Sequence, residues 1–456
     1  MAAHSPSAVK TEEDARRSRD FRLYWMAGAI DQIGSQASGI VFPLVTLAVT
    51  GSPAAAGLVG ALALAGRLVT APVAGVLADR LPRKRMMIGA LLLAAAAMAV
   101  VFVAVAAGVP TLTLLAGAAF VEGIAQSGYE SAGAGAIRRV LPADDKKALA
   151  RLEARNHAAQ IAGPVLGGAL YQLGRWVPFL VDVVSYVLAA GLVAAIRTDL
   201  TPDRQERTSF LSDLRAGLRF VWHQPVLRFV TIWAAGINFV FGALIYYAIL
   251  TAGRQGTPAV SIGLLLTIAS VGGLVGALGA PLVFSRVRPM TVVVFASWAM
   301  VALVVVMSQA RQTWNYGLLF GLVFLLSPLL GVIFQSRAIE LTPDGMQGRV
   351  ATVMGTVGEV LQTPAPLLAG VLVAWQSPTV VALVFAAALA VLAAYTTANL
   401  RRLAAPVDTG TGPETDQDAG AAGRGTDQDA SAAGGGAGQD AGPAGRETQA
   451  TEEVRG

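Results

Sequence analysis

The sequence predicts an all-α membrane protein with twelve transmembrane helices arranged in two pseudo-symmetric six-helix halves. Three observations favour this fold class: long apolar runs, basic residues concentrated in alternate links between those runs, and an echo between the two halves of the chain. Hydrophobic residues make up 54% of the 456 residues and charged residues only 14%, whereas a soluble domain carries roughly 25% charged residues.

The apolar runs define the spans, because a run of about 18 or more apolar residues is long enough to cross a bilayer as a helix. Short links require most neighbouring helices to be antiparallel, and the long link between Arg197 and Pro225 separates two sets of six. The expected spans are 21–49, 53–78, 86–107, 110–136, 152–173, 176–196, 226–251, 257–284, 289–309, 313–335, 347–374 and 378–398.

This assignment divides the chain into five segments. They are a cytoplasmic N-terminal segment (1–20), a first six-helix bundle (21–196), a cytoplasmic linker (197–225), a second six-helix bundle (226–398) and a C-terminal tail (399–456). The first segment is polar and lacks the pattern of a signal peptide. The tail is rich in Gly, Ala, Asp and Pro and repeats one pentapeptide at 415–419 and 426–430. We therefore expect it to be disordered, with a binding role as the alternative.

Basic residues in the links orient the helices, since Lys and Arg accumulate in short cytoplasmic links. The links after even-numbered spans hold most of the basic residues, whereas those after odd-numbered spans hold only Arg175, Arg254 and Arg311. Both termini are therefore expected in the cytoplasm. The abundance of Ala, Gly and Val suggests a bacterial source, so we expect a multi-pass protein of the bacterial plasma (inner) membrane.

The two halves echo each other in the link that follows the fourth helix of each half. An Ala-Ile pair is followed by a Pro, an Asp and a new helix, at Ala136, Ile137, Pro142 and Asp144 and again at Ala338, Ile339, Pro343 and Asp344. Between the halves, residues 209–222 place Leu211, Leu214, Leu218, Val221 and Trp222 on one helical face. This pattern predicts an amphipathic helix on the inner membrane surface.

Several classes of function are excluded or disfavoured by what the sequence lacks. The chain has no Cys, which excludes disulfides and thiolate metal sites, and its three His residues are too few for a zinc centre. It has neither a Walker motif nor a hydrolase nucleophile elbow, so we expect neither an ATP-driven pump nor an enzyme. The net charge of +5 follows the bias of the links and gives no reason to expect a nucleic-acid partner.

The link between the second and third spans carries a recognisable pattern, formed by Gly75, Asp79, Arg80, Arg83 and Lys84. It resembles the signature loop of the major facilitator superfamily of secondary transporters. In that family the Asp caps a neighbouring helix and forms an ion pair with an Arg across the inner gate, which steadies the outward-facing state. The resemblance implies these roles for Asp79, although Pro82 stands where the family often has Gly.

A second resemblance lies in the fifth span, where Gly163, Pro164, Gly167 and Gly168 are similar to the Gly-Pro motif of antiporters in the same superfamily. Ordinary packing of small residues is the alternative explanation. Within the superfamily the chain resembles the bacterial enterobactin-exporter and macrolide-efflux type, at Phe21–Trp25, at Thr50–Pro53 and at Gly217–Val221. The resemblance implies an exporter driven by the proton gradient, without a cofactor.

Ionisable residues inside a bilayer are costly and are functional hypotheses by default. Asp31, Arg67 and Glu122 are expected at a similar depth, roughly 14 Å from the inner end of helix one, 21 Å from the outer end of helix two and 18 Å from the outer end of helix four. Two carboxylates sharing one Arg would leave a place for a proton, with a static ion-pair network as the alternative. Glu359 is a further coupling candidate, expected near mid-depth in the second half without a basic neighbour.

The residues most suited to line a substrate cavity are polar or aromatic residues in the spans, because pockets for amphipathic compounds are mostly apolar with a few polar anchors. They are Gln32, Asn238, Tyr246, Tyr247 and Gln335. The leading functional hypothesis is a monomeric proton-coupled exporter of small amphipathic organic compounds in contact with membrane lipid. A nutrient symporter and a non-transporting membrane sensor or scaffold are the alternatives.

Overall fold

The computed structural model describes residues 6–141, 147–202, 210–310 and 313–401, and in these ranges the chain is built from α-helices joined by short links. The helices are α1 (Pro6–Thr50), α2 (Pro53–Ala78), α3 (Arg83–Ala106), α4 (Leu112–Val140), α5 (Ala148–Leu173), α6 (Val177–Ala194), α7 (Phe210–His223), α8 (Pro225–Arg254), α9 (Ala259–Phe284), α10 (Pro289–Met307), α11 (Thr313–Glu340), α12 (Gln347–Gln362), α13 (Ala365–Trp375) and α14 (Pro378–Ala398). A 3-10 turn, Asp344–Met346, precedes α12.

Helix ends follow local chemistry. The hydroxyls of Ser52, Thr111 and Ser377 accept hydrogen bonds from the backbone three residues on and so cap α2, α4 and α14. Gly51 and Gly108 have φ values of 67° and 75° just after α1 and α3. This left-handed conformation ends a helix at little cost only for glycine.

Twelve spans account for these helices, as the sequence predicted. Ten segments of the described chain are long and apolar enough to cross a bilayer, and one of them joins the 3-10 turn, α12 and α13 across the break at Thr363 and Pro364. The helices α4 and α5, with 29 and 26 residues, complete the twelve, although their charged residues make them less apolar. The remaining helix, α7, is the expected linker helix. Its place on the membrane surface stays a prediction.

The N-terminal segment differs from the expectation that residues 1–20 are separate from the first span. Helix α1 already begins at Pro6 and continues without interruption to Thr50. Within this helix Asp20 is fully buried, and its carboxylate accepts hydrogen bonds from the backbone N–H groups of Arg197 (3.0 Å) and Thr198 (2.7 Å). The link after α6 is thereby tied to α1.

The twelve spans form two halves, each with its own hydrophobic core. One core is built chiefly from α1–α6 and the other chiefly from α8–α14. We call the end of the bundle that carries the Arg- and Lys-rich links the basic end, and the other end the opposite end. The first of the two echoed links falls partly on residues 142–146, which lie outside the described ranges.

The halves meet most closely toward the opposite end, where two backbone crossings join them. In one crossing, Gly168 of α5 lies on the carbonyl of Ala259, and Gly263 of α9 lies on the carbonyl of Pro164. In the other, Gly370 of α13 lies on the carbonyl of Pro53, and Gly57 of α2 lies on the carbonyl of Pro366. A Cβ at any of these four glycines would overlap a carbonyl oxygen, so only glycine permits the approach.

Candidate functional site

Arg67 is the centre of an ion-pair network that joins the two halves of the protein. Its guanidinium lies 2.9 Å from Oε2 of Glu130 on α4 and 3.5 Å from Oε1 of Glu359 on α12. All three side chains are about two-fifths exposed, at 39%, 43% and 39%. A single cation therefore serves two carboxylates, one from each half.

This pairing corrects the expected cluster of Arg67 with Asp31 and Glu122. Two small residues set the geometry, since Gly66 lies on the carbonyl of Phe120 and Gly123 lies on that of Ala63. The backbones of α2 and α4 cross there, and Glu130 lies two turns beyond the crossing. Counted from that crossing, the Cα atom of Arg67 lies about 4 Å and that of Glu130 about 13 Å along their helices. The two long side chains together span the difference of roughly 9 Å.

Glu359 is also placed differently from the expectation that it has no basic neighbour. The eleventh span is broken shortly after Glu359, because α12 ends at Gln362 and the chain resumes as a helix only at Ala365. Glu359 thus stands in the last turn of α12, where its side chain meets Arg67 of the other half. Asn238 of α8 lies close by, 3.7 Å from an ideal Cβ at Gly358.

Glu122 points into the first half, where it is held by a tyrosine. The hydroxyl of Tyr186 on α6 donates to Glu122 Oε1 at 3.0 Å and lies 3.4 Å from the hydroxyl of Ser35. Tyr186 is completely buried. Sequence reasoning missed this residue, although a tyrosine in an otherwise apolar span signals a hydroxyl that needs a partner.

Asp31 is buried in α1, only 3% exposed, and its Oδ1 has no hydrogen-bond partner among the described residues. The neighbouring cation is Arg155 of α5, whose guanidinium crosses α1 at Gly28, one turn before Asp31. Gln126 of α4 lies beside both Asp31 and Glu130. Asp31 and Glu130 are therefore close in space, while Arg67 serves the latter.

A further buried acid, Asp182, closes the contact between α1 and α6. The Ser38 hydroxyl donates to its carboxylate, and the Ser185 hydroxyl donates to its backbone carbonyl at 2.9 Å. An ideal Cβ at Gly34 would lie 2.9 Å from Asp182 Oδ1. These contacts agree with a structural role for Asp182.

The residues expected in the substrate cavity have different environments. Tyr247 does not line a cavity in this structure, contrary to the expectation. It is completely buried in the second half, and its hydroxyl donates to the carbonyl of Pro378 at 3.0 Å. Tyr246, its neighbour in α8, instead reaches the first half and covers Gly60 of α2. Asn238 and Gln335 are exposed and Gln32 is half-buried, so all three remain cavity candidates.

The glycines of the antiporter-like motif use two faces of α5. Gly163 and Gly167 lie against Gln36 and Ala37 of α1, whereas Gly168 and the Pro164 carbonyl meet α9 of the other half. The hydroxyl of Thr267 on α9 also donates to the Ile161 carbonyl at 2.6 Å.

The sequence contained a second copy of this arrangement that pattern reading missed. Pro366 and Gly370 of α13 have the same four-residue spacing as Pro164 and Gly168, and they meet Pro53 and Gly57 of α2 in the same way. The signal was visible as a Pro followed four residues later by a Gly in spans five and eleven.

The signature-like loop is anchored by its basic residues. Arg83 donates to the Gly135 carbonyl at 3.2 Å, and Lys84 donates to the Ile196 carbonyl at 2.8 Å. Asp79 ends α2, with its backbone N–H bonded to the Gly75 carbonyl at 3.2 Å, but its exposed carboxylate has no ion pair or hydrogen bond among the described residues. The contact of Asp79 across the inner gate therefore remains a prediction for another conformation.

Within the described ranges, no group of three or more His, Asp or Glu side chains is arranged to hold a metal ion. The chemistry available at the interface of the two halves is that of carboxylates, guanidinium groups and tyrosine hydroxyls.

Comparison with known sequences places this architecture among transport proteins. A model of the Major Facilitator Superfamily matches residues 24–363. The multidrug efflux pump Tap of Mycolicibacterium fortuitum is 27% identical over 356 residues, which cover 73% of this chain and 83% of Tap. The enterobactin exporter EntS of Salmonella choleraesuis (strain SC-B67) is 26% identical over 349 residues, which cover 72% of this chain and 80% of EntS.

Solved structures agree on the fold. A bacterial homologue of the iron transporter ferroportin, in an inward-facing state, superposes with a TM-score of 0.67 at 16% identity and covers 85% of this chain and 99% of its own. A bacterial homologue of the human lysosomal transporter Spinster, also inward-facing, gives a TM-score of 0.65 at 13% identity, covering 85% and 98%. With its twelve spans in two halves and a family model that spans most of its length, the chain belongs to the Major Facilitator Superfamily.

Proposed function

We propose that the protein is a proton-coupled exporter that moves small amphipathic organic compounds out of a bacterial cell by antiport. The family supplies the transporter fold, and the relatives described above are a multidrug efflux pump and an enterobactin exporter. The observation that carries the coupling is the pair of contacts that Arg67 makes with Glu130 and Glu359.

Coupling follows from the charge balance of this network. Two ionised carboxylates compete for one guanidinium, so a proton taken up by either acid relieves their repulsion. The two acids are not equivalent, because Glu130 lies in the same half as Arg67 while Glu359 lies in the other half. Protonation of Glu359 would break the ion pair between the halves, and ionisation would restore it. A proton thus biases the two arrangements that alternating access requires.

Asp31 and Glu122 are the second pair of acids in the proposed proton path. Asp31 lies near Glu130 through Gln126, and it is balanced by Arg155. Glu122 is held by Tyr186. The alternative is that these two buried acids only hold the helices of the first half together.

The orientation follows from the links. We propose that the basic end faces the cytoplasm, with both termini there, because Lys and Arg are retained on that side. The crossings at Gly168 and Gly370 then close the periplasmic side, which corresponds to an inward-facing conformation.

The test is proton movement in proteoliposomes that contain the full chain and an internal pH dye. Ethidium, tetracycline and erythromycin are the probes, each added on the side of the basic end. We expect the transport of at least one probe to drive protons in the opposite direction. Glu359→Gln should abolish this proton movement while downhill exchange of the probe persists. Glu130→Gln should reduce the proton movement.

The matched control is Glu340→Gln, which removes a carboxylate from the exposed pair with Arg337 and should leave the flux unchanged. Proton movement in the same direction as the probe would instead indicate symport. Full coupling in the Glu359→Gln variant would remove the network from the proton path.

A further inference from the structure

A hydroxyl on α9 joins the two halves of the protein and takes no part in the charge network around Arg67. Thr267 donates a hydrogen bond to the carbonyl of Ile161 on α5, and the two oxygens lie 2.6 Å apart. The bond lies one turn beyond the place where Gly263 of α9 meets the carbonyl of Pro164. It therefore supports the crossing of α5 and α9 on the side of that crossing that faces the basic end.

Several other hydroxyls of the spans stay within their own helix. A Ser or Thr inside a helix commonly donates to the carbonyl four residues earlier. Thr231 of α8 does so with Leu227 at 2.8 Å. Ser270, in the next turn of α9, does so with Leu266 at 3.1 Å. Thr267 instead donates to the other half, so its contact is lost when α5 and α9 separate.

The proline of α5 explains why a donor from another helix is useful at this point. Pro164 has no N–H, and its ring crowds the carbonyl of Gln160, which loosens the turn before it. The carbonyl of Ile161 belongs to that turn and faces α9. Ser and Thr side chains of neighbouring helices commonly satisfy backbone groups beside a proline in a membrane span. Thr267 is placed to do this.

The crossing of α2 and α13 repeats the backbone contact but not the hydrogen bond. Each crossing has a Pro and a Gly that meet a carbonyl and a Gly at four-residue spacing. When Gly57 of α2 is aligned with Gly263 of α9, Ala61 takes the position of Thr267. Because alanine has no hydroxyl, it cannot form the equivalent bond.

The polar contact on the α2 side is an ion pair. Arg67 lies ten residues beyond Gly57 on α2, and its guanidinium lies 3.5 Å from Glu359 of α12, the helix that leads into α13. Glu130 is the second acid at this guanidinium, at 2.9 Å. The matching position on α9 is Gly273, which has no side chain that could form an ion pair. One side of the interface is thus joined by an uncharged hydrogen bond, and the other by an ion pair.

We propose that the end of the bundle opposite the basic end opens unequally, with the α2–α13 crossing as the gate and the α5–α9 crossing as the pivot. Thr267 is the positioning residue that keeps the pivot closed. Its bond joins a hydroxyl to an amide carbonyl, so proton uptake by the acids of the network leaves it in place. A proton on Glu359 weakens the gate side alone. The inference rests on the proposed proton coupling, because it states where that proton acts.

The experiment compares the two crossings in the full chain, which has no native cysteine. Spin labels at Leu173→Cys and Gln255→Cys report the α5–α9 side, and labels at Leu58→Cys and Trp375→Cys report the α2–α13 side. All four positions are exposed. Glu359→Gln removes the charge and imitates the protonated acid. We expect it to shift the distances on the α2–α13 side to longer values and to leave those on the α5–α9 side unchanged.

The role of the hydroxyl is tested by adding a second substitution to Glu359→Gln. Thr267→Val removes the hydroxyl at nearly constant volume and should lengthen the distances on the α5–α9 side as well. Thr267→Ser keeps the hydroxyl and should not. Thr231→Val is the matched control, because it removes a hydroxyl that bonds its own helix, and it should leave both sides as they are in Glu359→Gln alone.

Two results would overturn the proposal. One is an equal shift on both sides, or a shift on neither side, in the Glu359→Gln variant. The other is an unchanged α5–α9 distance after Thr267→Val is added. The distances are measured without a transported probe, so a failure of the pivot appears in them, whereas a failure of proton coupling appears in the flux assay.

Discussion

At the scale of residues, Arg67 determines which acids at the interface between the two halves can respond to a proton. Its partners Glu130 and Glu359 are about two-fifths exposed, so water screens their interaction. Ion pairs of this exposure contribute roughly 0–1 kcal/mol to stability. The network is therefore better suited to change during a cycle than to hold the fold together.

We predict that Arg67→Gln abolishes coupled transport while lowering the free energy of unfolding by less than about 2 kcal/mol, because two exposed pairs are lost. Chemical unfolding in micelles and probe-driven proton flux in proteoliposomes measure the two effects. Arg337→Gln, which removes another exposed pair at 3.0 Å, should lose a similar amount of stability and keep transport. Wild-type flux in Arg67→Gln would contradict the prediction.

Tyr186 makes the opposite kind of contact, because both it and the acid that it binds are inside the first half. We predict that Tyr186→Phe destabilises the protein by about 1–3 kcal/mol, since a buried acceptor on Glu122 loses its donor. Tyr395→Phe is the control, as Tyr395 packs on Phe229 through its ring. An equal loss of stability in the two variants would show that the hydroxyl of Tyr186 contributes nothing special.

At the scale of elements, two pairs of helices hold the halves together by the same device. In each pair, one helix carries a Pro and a Gly four residues apart. The Gly contacts a carbonyl of the second helix, and the carbonyl of the Pro contacts a Gly four residues further along that second helix. The approach is close enough that a methyl group at Gly168 or Gly370 would overlap the carbonyl oxygen of Ala259 or Pro53. Dispersion between backbones, summed over many atoms, stabilises such crossings.

We predict that Gly168→Leu and Gly370→Leu each open the end of the bundle opposite the basic end. Because the chain has no native cysteine, spin labels at Leu173→Cys and Trp375→Cys, two exposed positions at the ends of α5 and α13, report the separation of the halves. The distance distribution should shift to longer values. Gly89→Leu, where an added Cβ meets nothing within 4 Å, should leave it unchanged, and an unchanged distribution in all three variants would refute the role of the crossings.

At the scale of the whole molecule, the basic links determine how the twelve spans sit in the membrane. We predict that reporter fusions at Gly51, Val109 and Arg175 are extracytoplasmic, and that fusions at Arg83 and Arg286 are cytoplasmic, because basic links are not translocated. Paired phosphatase and fluorescent-protein fusions measure this directly. Reversal at any one of these positions would invalidate the proposed topology.

The sequence by itself determined the span count, the basic end and the identity of the charges inside the membrane. These properties depend on local composition, because each span must be apolar enough for the bilayer and each link carries its own charge. The linker helix α7 was also predictable from periodicity. The family followed from the loop at Gly75 to Lys84 together with the Gly-Pro motif, since both are local patterns.

Only the tertiary structure decided which charges meet. Depth along a helix predicted Asp31 and Glu122 as partners of Arg67. In the structure α2 and α4 cross at Gly66 and Gly123, and Arg67 pairs with Glu130 instead. Tyr246 and Tyr247 illustrate the same point, because adjacent residues on one helix point about 100° apart. One of them covers Gly60 of the other half, and the other lies buried in its own half. Helix rotation, tilt and side-chain reach arise from packing between segments distant in sequence, and no local pattern encodes them.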